Sequence, residues 1–321
     1  MSIPLRTAAF WSVYKLIERA PVMQQPVEKV RAAADLRNKA LGLPLAWLIT
    51  GRPARGVDIT ETEASAADGT PLPLRVYRPK GAAGRLPVVL NFHGGAWVSG
   101  SVLQSEWWAS ALAARAGVVV VSVEYRLAPE HSFPTPVEDC YDATRWVAQH
   151  AEEFGVDADR LAVMGDSAGG NMAAVVAMMA RDRGEPSVAL QVLIYPSVEL
   201  GGEYPSEREN ANRPILTSKD IVNAPGLYFH ESTREMTDPY ASPIRGKLEG
   251  LPPALIQTAE FDPLRDHGAY YAEALRAAGV EVRSTNYVEA VHGYISLPGI
   301  QPVARQALAE AAAEIRRHLD P

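Results

Sequence analysis

The sequence predicts an α/β protein with a mostly parallel central sheet flanked by helices, and with a helical cap. Strand and helix patterns alternate from residue 57 to the C-terminus, which is the order of a parallel sheet joined by crossover helices. Residues 117–121, GVVVV, are apolar without alternation, as expected for a strand buried on both faces. A third observation is a strand, a glycine turn and a helix within residues 160–183, with Ser167 in the turn.

Composition limits the classes of protein and partner. The chain has 321 residues, 47% of them hydrophobic and 21% charged, and a net charge of −7, which suits one large α/β domain with an accessory part. The negative charge argues against a nucleic-acid partner, because phosphate binding needs a clustered basic surface. No apolar run approaches a membrane span. Arg6, Lys15 and Glu18 interrupt the N-terminal segment, so we expect no secretory signal and a cytoplasmic location.

The sequence offers little support for metal or redox chemistry. Cys140 is the single cysteine, so an intrachain disulfide is excluded. Its segment has a helical period, which favours a buried apolar role over a reactive thiol. No His and Cys residues have zinc spacing, and no glycine-rich loop ends in Lys-Ser or Lys-Thr. We therefore expect no metal and no cofactor.

Residues 1–55 are predicted to form the N-terminal helical part of the cap. Phe10, Tyr14 and Ile17 recur at helical spacing, and a second apolar pattern follows Pro26. Prolines separate these short helices. Because the helices precede every strand, they either pack on the core or cover a pocket.

Residues 56–321 are predicted to form the main domain. It begins with a hairpin of residues 57–63 and 72–77 around the Asp68-Gly69 turn. Further strands are predicted at residues 87–92, 118–123, 161–164, 190–195, 254–258 and 282–287. Helices are predicted at residues 107–115 and 136–150, after Ser167, and at residues 263–278 and 303–318.

Residues 197–252 interrupt the alternation of strands and helices. They are rich in Pro, Glu, Arg and Asn and contain one helical pattern at residues 218–229. We predict that a second insertion of the cap lies here, at about residues 200–240, next to the pocket.

The run G-x-S-x-G at residues 165–169 indicates a nucleophilic serine. Glycines on both sides of Ser167 have a steric reason, because side chains there would collide with the strand or the helix. The alternative is an ordinary glycine turn. A buried strand before the turn and a helix after it favour the nucleophile.

A serine hydroxyl needs a base, and His292 is the best placed of the seven histidines. It follows the last strand on a loop with Gly293, and the loops after parallel strands form the site in such sheets. Considered alone, a loop histidine is more often a surface residue. His267 lies inside a predicted helix, and His93 is expected to be a structural hydrogen-bonding residue.

Asp262 is the preferred partner for this base. It follows the strand at residues 254–258, and its alternative role is a helix N-cap before Pro263. Asp266 is the competing carboxylate. With Asp262, the chain order is serine, aspartate, histidine, which is typical of the α/β-hydrolase fold. Backbone N–H groups for an oxyanion are expected from the glycine run after His93 and from Ala168.

Five sequence runs in this order closely resemble the bacterial hormone-sensitive-lipase-like (family IV) esterases. The runs are HGGAW from His93, YRLAPEHSFP from Tyr125, GDSAGG from Gly165, EFDPLRD from Glu260 and HGY from His292. The resemblance implies Ser167 as nucleophile, His292 as base and Asp262 as its partner. The oxyanion donors that it implies are Gly94, Gly95, Ala96 and Ala168, and it leaves open which of the first three point inward.

The same resemblance implies a carboxylesterase for esters with short or medium acyl chains, without a cofactor. Trp97 and Tyr195 are candidate walls of the substrate pocket. Ala96 departs from the pattern, since most members have a third glycine there. Members of the family often dimerise along the last strand, here residues 280–287, so we expect a homodimer.

Three alternatives stay open for the function. The same triad serves peptidases and amidases, because the fold does not determine the leaving group. A small-molecule receptor on this fold is the second alternative, although receptors of this type lack the catalytic histidine. A true lipase, activated by an emulsion, is the third.

Overall fold

An eight-stranded sheet lies at the centre of the molecule. The computed structural model describes residues 5–9, 12, 25–41 and 45–320. The strands are β1 Val57–Ser65, β2 Pro71–Pro79, β3 Leu86–Phe92, β4 Val119–Val123, β5 Val156–Asp166, β6 Leu190–Ile194, β7 Ala254–Phe261 and β8 Val282–Val291.

The order of the strands in space is β1-β2-β4-β3-β5-β6-β7-β8. β2 pairs antiparallel with β1 and with β4, and every other neighbouring pair is parallel. The predicted mostly parallel sheet is therefore confirmed. Because β5, β7 and β8 run in the same direction, the loops that follow them open at one edge of the sheet.

Helices cover both faces of the sheet. The α-helices with described bounds are α1 Val27–Leu41, α2 Trp47–Thr50, α3 Glu106–Ala116, α4 Thr135–Gln149, α5 Ala151–Phe154, α6 Ala168–Arg183, α7 Pro205–Glu209, α8 Ser218–Tyr228, α9 Arg265–Ala277 and α10 Val303–Leu319. α4, α6 and α9 contribute to the core on one face, and α3 and α10 to the core on the other. The sequence of β4 is uniformly apolar because both faces of the strand are buried. Val119 and Val121 face the first core, and Val120 faces the second.

Several element boundaries differ from the prediction, and two elements begin two or more residues away from their predicted start. β5 begins at Val156, five residues early, because Leu86 of β3 pairs with Val156 before the register shifts. α9 begins at Arg265 rather than at Pro263. The Asp262 carboxylate accepts a hydrogen bond of 2.8 Å from the backbone N–H of Leu264, and this local turn delays the start of the helix.

Only part of the predicted N-terminal helical region falls within the described residues. α1 coincides with the second apolar pattern, whereas Phe10, Tyr14 and Ile17 lie outside the described residues. The division into residues 1–55 and 56–321 stays a prediction.

The described ranges contain neither a membrane-spanning helix nor a metal cluster. No helix in them combines the length and the apolar character that crossing a bilayer requires. The same ranges contain no group of three or more His, Cys, Asp or Glu side chains arranged to hold a metal ion.

Candidate active site

Ser167 lies at a sharp turn between the end of β5 and the start of α6. Its backbone has φ 57° and ψ −118°, a conformation that costs free energy for a residue with a side chain. A Cβ atom on Gly165 would lie 2.2 Å from the carbonyl oxygen of Gly169, and one on Gly169 would lie 2.0 Å from the carbonyl oxygen of Phe92. Only glycine therefore fits on either side of the serine, as the sequence predicts.

The structure brings Ser167, His292 and Asp262 into one hydrogen-bonded chain. Nε2 of His292 lies 2.9 Å from Oγ of Ser167, and Nδ1 of His292 lies 2.7 Å from Oδ2 of Asp262. When Nδ1 carries the proton, it donates to the carboxylate, and Nε2 accepts from the serine hydroxyl. The carboxylate and the imidazole are both buried. This is the geometry that activates a serine nucleophile.

The competing residues are engaged elsewhere. Oδ2 of Asp266 accepts a hydrogen bond of 2.9 Å from the backbone N–H of Ser206. His267 is buried with Nε2 3.0 Å from the Glu207 carboxylate. His93 has Nδ1 2.8 Å from the carbonyl oxygen of Gly94. Among the described residues, none of these groups forms a hydrogen bond with Ser167.

The loop after β3 supplies fewer oxyanion donors than predicted. The backbone N–H of Gly94 donates to Oδ1 of Asp166 at 2.9 Å, so Gly94 is removed from the predicted set. The Gly94 N–H is occupied because Asp166, the residue before the serine, extends its carboxylate to the loop after β3. In the part of the chain that the structure describes, the N–H groups of Gly95, Ala96 and Ala168 donate no hydrogen bond.

The remaining loop donors are held in an unusual backbone conformation. Ala96 and Trp97 both have positive φ, 56° and 63°, which is uncommon for residues other than glycine. Gly95 has φ 131°, and a Cβ atom there would lie 1.9 Å from the carbonyl oxygen of Ser99. The carbonyl of Gly95 accepts hydrogen bonds from the backbone N–H groups of Val98 and Ser99. Ala96 of this turn and Ser167 line the same pocket.

Asp166 ties this loop to β5. Its Oδ1 holds the Gly94 N–H, and its Oδ2 accepts a bond of 3.3 Å from the hydroxyl of Tyr195. Burial raises the pKa of the Asp166 carboxyl above its ordinary value. The carboxylate is therefore a structural anchor in a site that disfavours its charged form.

A substitution at this anchor is expected to stabilise the protein at alkaline pH. The native state binds the Asp166 proton more tightly than the unfolded state, so the cost of its charge grows as pH rises above the ordinary carboxyl range. Asp166→Asn keeps an acceptor for Gly94 and removes the charge. We expect its thermal midpoint at pH 8 to exceed the wild-type value by about 2–4 °C.

Thermal melts across the pH range check this expectation. The difference between the two proteins should shrink as pH falls, because wild-type Asp166 then becomes protonated. A less stable Asp166→Asn at pH 8 would show that the charge itself stabilises the site.

A partly open pocket lies at Ser167. Trp97 lines it, as predicted, and apolar residues of α8 form the opposite wall. The residues that line it are Ala96, Trp97, Ser167, Ala168, Ser197, Glu199, Leu200, Leu216, Asp220, Ile221, Ala224, Pro225 and Leu264.

Tyr195 does not line this pocket within the described residues, which corrects the prediction. It is fully buried, its ring lies 4.6 Å from that of His292, and its hydroxyl bonds Asp166. Tyr195 packs against the imidazole, and it is the first residue after the end of β6 at Ile194. The sequence analysis does not name Ile221 and Ala224, which line the pocket. The apolar period of residues 218–229, inside the predicted cap insertion, is the signal that points to this helix.

This fold and this arrangement of side chains define an α/β-hydrolase. A family profile described as alpha/beta hydrolase fold matches residues 89–296. Together with similar carboxylesterases and esterases, it shows that the chain belongs to the hormone-sensitive-lipase-like branch of the α/β-hydrolase family.

The relatives match most of the chain. Carboxylesterase NlhH of Mycobacterium tuberculosis is 45% identical over 256 residues, which are 78% of this chain and 79% of the relative. Esterase LipI of the same organism is 43% identical over 258 residues, 78% of this chain and 80% of the relative. Among solved structures, a hyperthermophilic esterase from the archaeon Pyrobaculum calidifontis is 39% identical, with a TM-score of 0.90 and 99% of both chains covered.

Proposed function

We propose that this chain is a carboxylesterase that hydrolyses esters with short or medium acyl chains. The observation that carries the proposal is the chain of hydrogen bonds from Ser167 through His292 to Asp262, which ends at an apolar pocket. The relatives named carboxylesterase and esterase support the same reaction class.

The reaction follows from this geometry in two halves. Oγ of Ser167 attacks the ester carbonyl while Nε2 of His292 takes the hydroxyl proton. The oxyanion receives hydrogen bonds from the N–H groups of Gly95, Ala96 and Ala168. His292 then gives its proton to the departing alcohol, and an acyl group remains on the serine.

The second half repeats these roles with water. His292 takes a proton from the attacking water, and the collapse of the second tetrahedral intermediate releases the acid and returns the proton to Ser167. Asp262 keeps the imidazole in the tautomer with a proton on Nδ1 and stabilises the imidazolium. Every step uses groups of this chain, the ester and water.

The cap belongs to the same proposal. In this proposal residues 1–55 and the insertion at about residues 200–240 form a cap on the main domain, residues 56–321. Ile221, Ala224 and Pro225 of α8 line the pocket, which supports a role of the insertion in substrate choice. A homodimer along residues 280–287 stays a prediction, and β8 lies at an edge of the sheet.

Labelling and turnover test the proposal together. A fluorophosphonate should bind covalently to Ser167, and p-nitrophenyl butyrate should be hydrolysed by the same preparation. An unlabelled serine would favour the receptor alternative. An aminoacyl p-nitroanilide turned over faster than the ester would favour the peptidase or amidase alternative.

Narrowing the pocket is expected to change acyl-chain preference. Ile221→Trp places a larger ring in the wall of the pocket. We expect kcat/KM for p-nitrophenyl octanoate to fall about 10- to 100-fold relative to that for the acetate, because a misfit of a few methylene groups costs about 1–3 kcal/mol. Val222→Trp is the matched control, since Val222 is the next residue on α8 and is 73% exposed. An unchanged preference in Ile221→Trp would show that acyl chains lie elsewhere.

A further inference from the structure

Asn210 is a buried polar residue that contacts residues 260–266, which include Asp262 and are called the acid loop below. It follows α7 and is 3% exposed. Its Nδ2 donates to two backbone carbonyls, those of Glu260 and Asp262, each at 3.2 Å. Its Oδ1 accepts a bond of 2.9 Å from Nε of Arg213. Both ends of the amide are therefore satisfied, and the donating end is directed at the main chain of the acid loop.

The acid loop needs such a partner, because the regular pairing of β7 with its neighbouring strands ends at this loop. The pairing of β7 with β8 is irregular between Ala259 and Phe261, so Glu260 lies outside the regular ladder. β6 ends at Ile194, which pairs with Gln257 of β7. Carbonyls beyond that point need other donors when they are buried. The side chain of Asn210 supplies a donor at Glu260 and a second donor at Asp262, whose carbonyl also accepts a bond of 3.1 Å from the N–H of Arg265.

Ser206, four residues before Asn210, also forms hydrogen bonds with the acid loop. Its hydroxyl donates to the carbonyl of Pro263 at 2.6 Å and accepts from the backbone N–H of Asp266 at 3.1 Å. Its own N–H donates to the Asp266 carboxylate. The segment of residues 206–210 therefore holds the acid loop on both sides of Leu264 and at Asp262.

After Asn210 the chain continues through residues 211–216 to the loop after β8, which carries His292. Ile215 has φ 72°, and the N–H of Leu216 donates to the carbonyl of Pro214 at 2.9 Å, which makes a strained γ-turn around a β-branched residue. Two side-chain carbons of Ile215 would lie 3.4 Å from a Cβ atom on Gly293. Residues 206–216 thus contact the loops of Asp262 and of His292, and Leu216 lines the pocket.

We propose that Asn210 is a positioning residue of the esterase reaction, whose amide fixes the backbone of Asp262 and thereby directs its carboxylate at Nδ1 of His292. This inference rests on the proposed function. Loss of the amide lets the acid loop rotate, and the carboxylate then stabilises the imidazolium less. Displacements of about 1 Å in such groups cost about 100-fold in rate.

Two substitutions test the role. Asn210→Ala removes both donors, and Asn210→Asp keeps the shape and the acceptor for Arg213 while removing the donors. For both we expect kcat for p-nitrophenyl butyrate, per fluorophosphonate-titrated active site, to fall about 10- to 100-fold. KM should change less than kcat. In Asn210→Ala the acid limb of kcat/KM should move to lower pH, because the displaced Asp262 carboxylate then stabilises the imidazolium less.

Asn286→Ala is the matched control. Its amide also lies beside the end of β7, but it donates to the side chain of Glu260 at 2.6 Å and not to the backbone of the acid loop. This variant should keep the wild-type kcat and pH profile. Asn210→Ser serves as a third variant with a smaller loss of packing if the first two do not yield folded protein, and it should change kcat in the same direction.

The outcomes separate the two proposals. Wild-type kcat and an unmoved acid limb in the Asn210 variants would overturn the positioning role and leave the esterase intact. The positioning role would also be overturned if the variants only had fewer fluorophosphonate-titrated active sites or a lower thermal midpoint, with wild-type kcat per active site. That result would indicate a purely structural residue. A wild-type protein without ester turnover or Ser167 labelling would instead overturn the proposed function.

Discussion

Ser167→Ala is expected to lower kcat for a short p-nitrophenyl ester by about 10⁴- to 10⁶-fold, which is the scale for removing the nucleophile from a serine triad. The variant keeps the turn, because alanine occupies less space than serine and the flanking glycines are unchanged. Residual turnover should persist, since the N–H groups of Gly95 and Ala96 still bind an oxyanion. Steady-state hydrolysis with a purified, folded variant measures the effect.

Ser65→Ala is the control for this substitution. Ser65 ends β1, and among the described residues its hydroxyl donates only to the neighbouring carbonyl of Ala66. This variant should retain wild-type kcat and fluorophosphonate labelling. Wild-type hydrolysis by Ser167→Ala would mean that the nucleophile is another group, and the proposed mechanism would then be wrong.

Gly169→Ala is expected to destabilise the protein severely, although it adds a single methyl group. Its Cβ atom would lie 2.0 Å from the oxygen and 2.6 Å from the carbon of the Phe92 carbonyl. Both are backbone atoms of β3 at the centre of the sheet, and they cannot give way as a flexible side chain does. We expect a loss of more than about 4 kcal/mol in the free energy of unfolding, measured by urea denaturation followed by circular dichroism.

Gly226→Ala provides the comparison within the same protein. Gly226 lies in α8 with no atom within 4 Å of a Cβ position, and alanine is the better helix former by about 0.5–1 kcal/mol. This variant should match or exceed the wild-type stability. Equal unfolding midpoints for Gly169→Ala and the wild type would show that α6 moves away from β3 at little cost.

Local sequence patterns were sufficient to predict most of the fold and to select the three residues that the structure joins in one hydrogen-bonded chain. Strands such as β3 and β4 are continuous apolar runs, and Gly165 and Gly169 mark the turn at Ser167. His292 was identified because the order of elements places its loop at the same edge of the sheet as the serine. These inferences need only periodicity, turn chemistry and the direction of parallel strands.

Contacts between distant segments were the part that the sequence did not reveal. Gly94 donates to a carboxylate 72 residues away, so no local pattern shows that its N–H is occupied. Tyr195 follows a strand as a pocket residue would, yet it is fully buried with its ring against that of His292. Asn210 lies in a polar stretch where nothing local distinguishes it from its exposed neighbour Asn212. Each of these roles depends on three-dimensional packing.

The use of main-chain N–H groups at residues 95 and 96 has an evolutionary consequence. A point mutation cannot delete a peptide N–H unless it introduces proline, so selection on side chains beside the reacting carbonyl acts on shape alone. The methyl group of Ala96 lines the pocket and can be exchanged for a larger or smaller group while the charge-stabilising apparatus persists. Descendants of this gene can therefore acquire new substrates through changes in shape around an invariant chemistry.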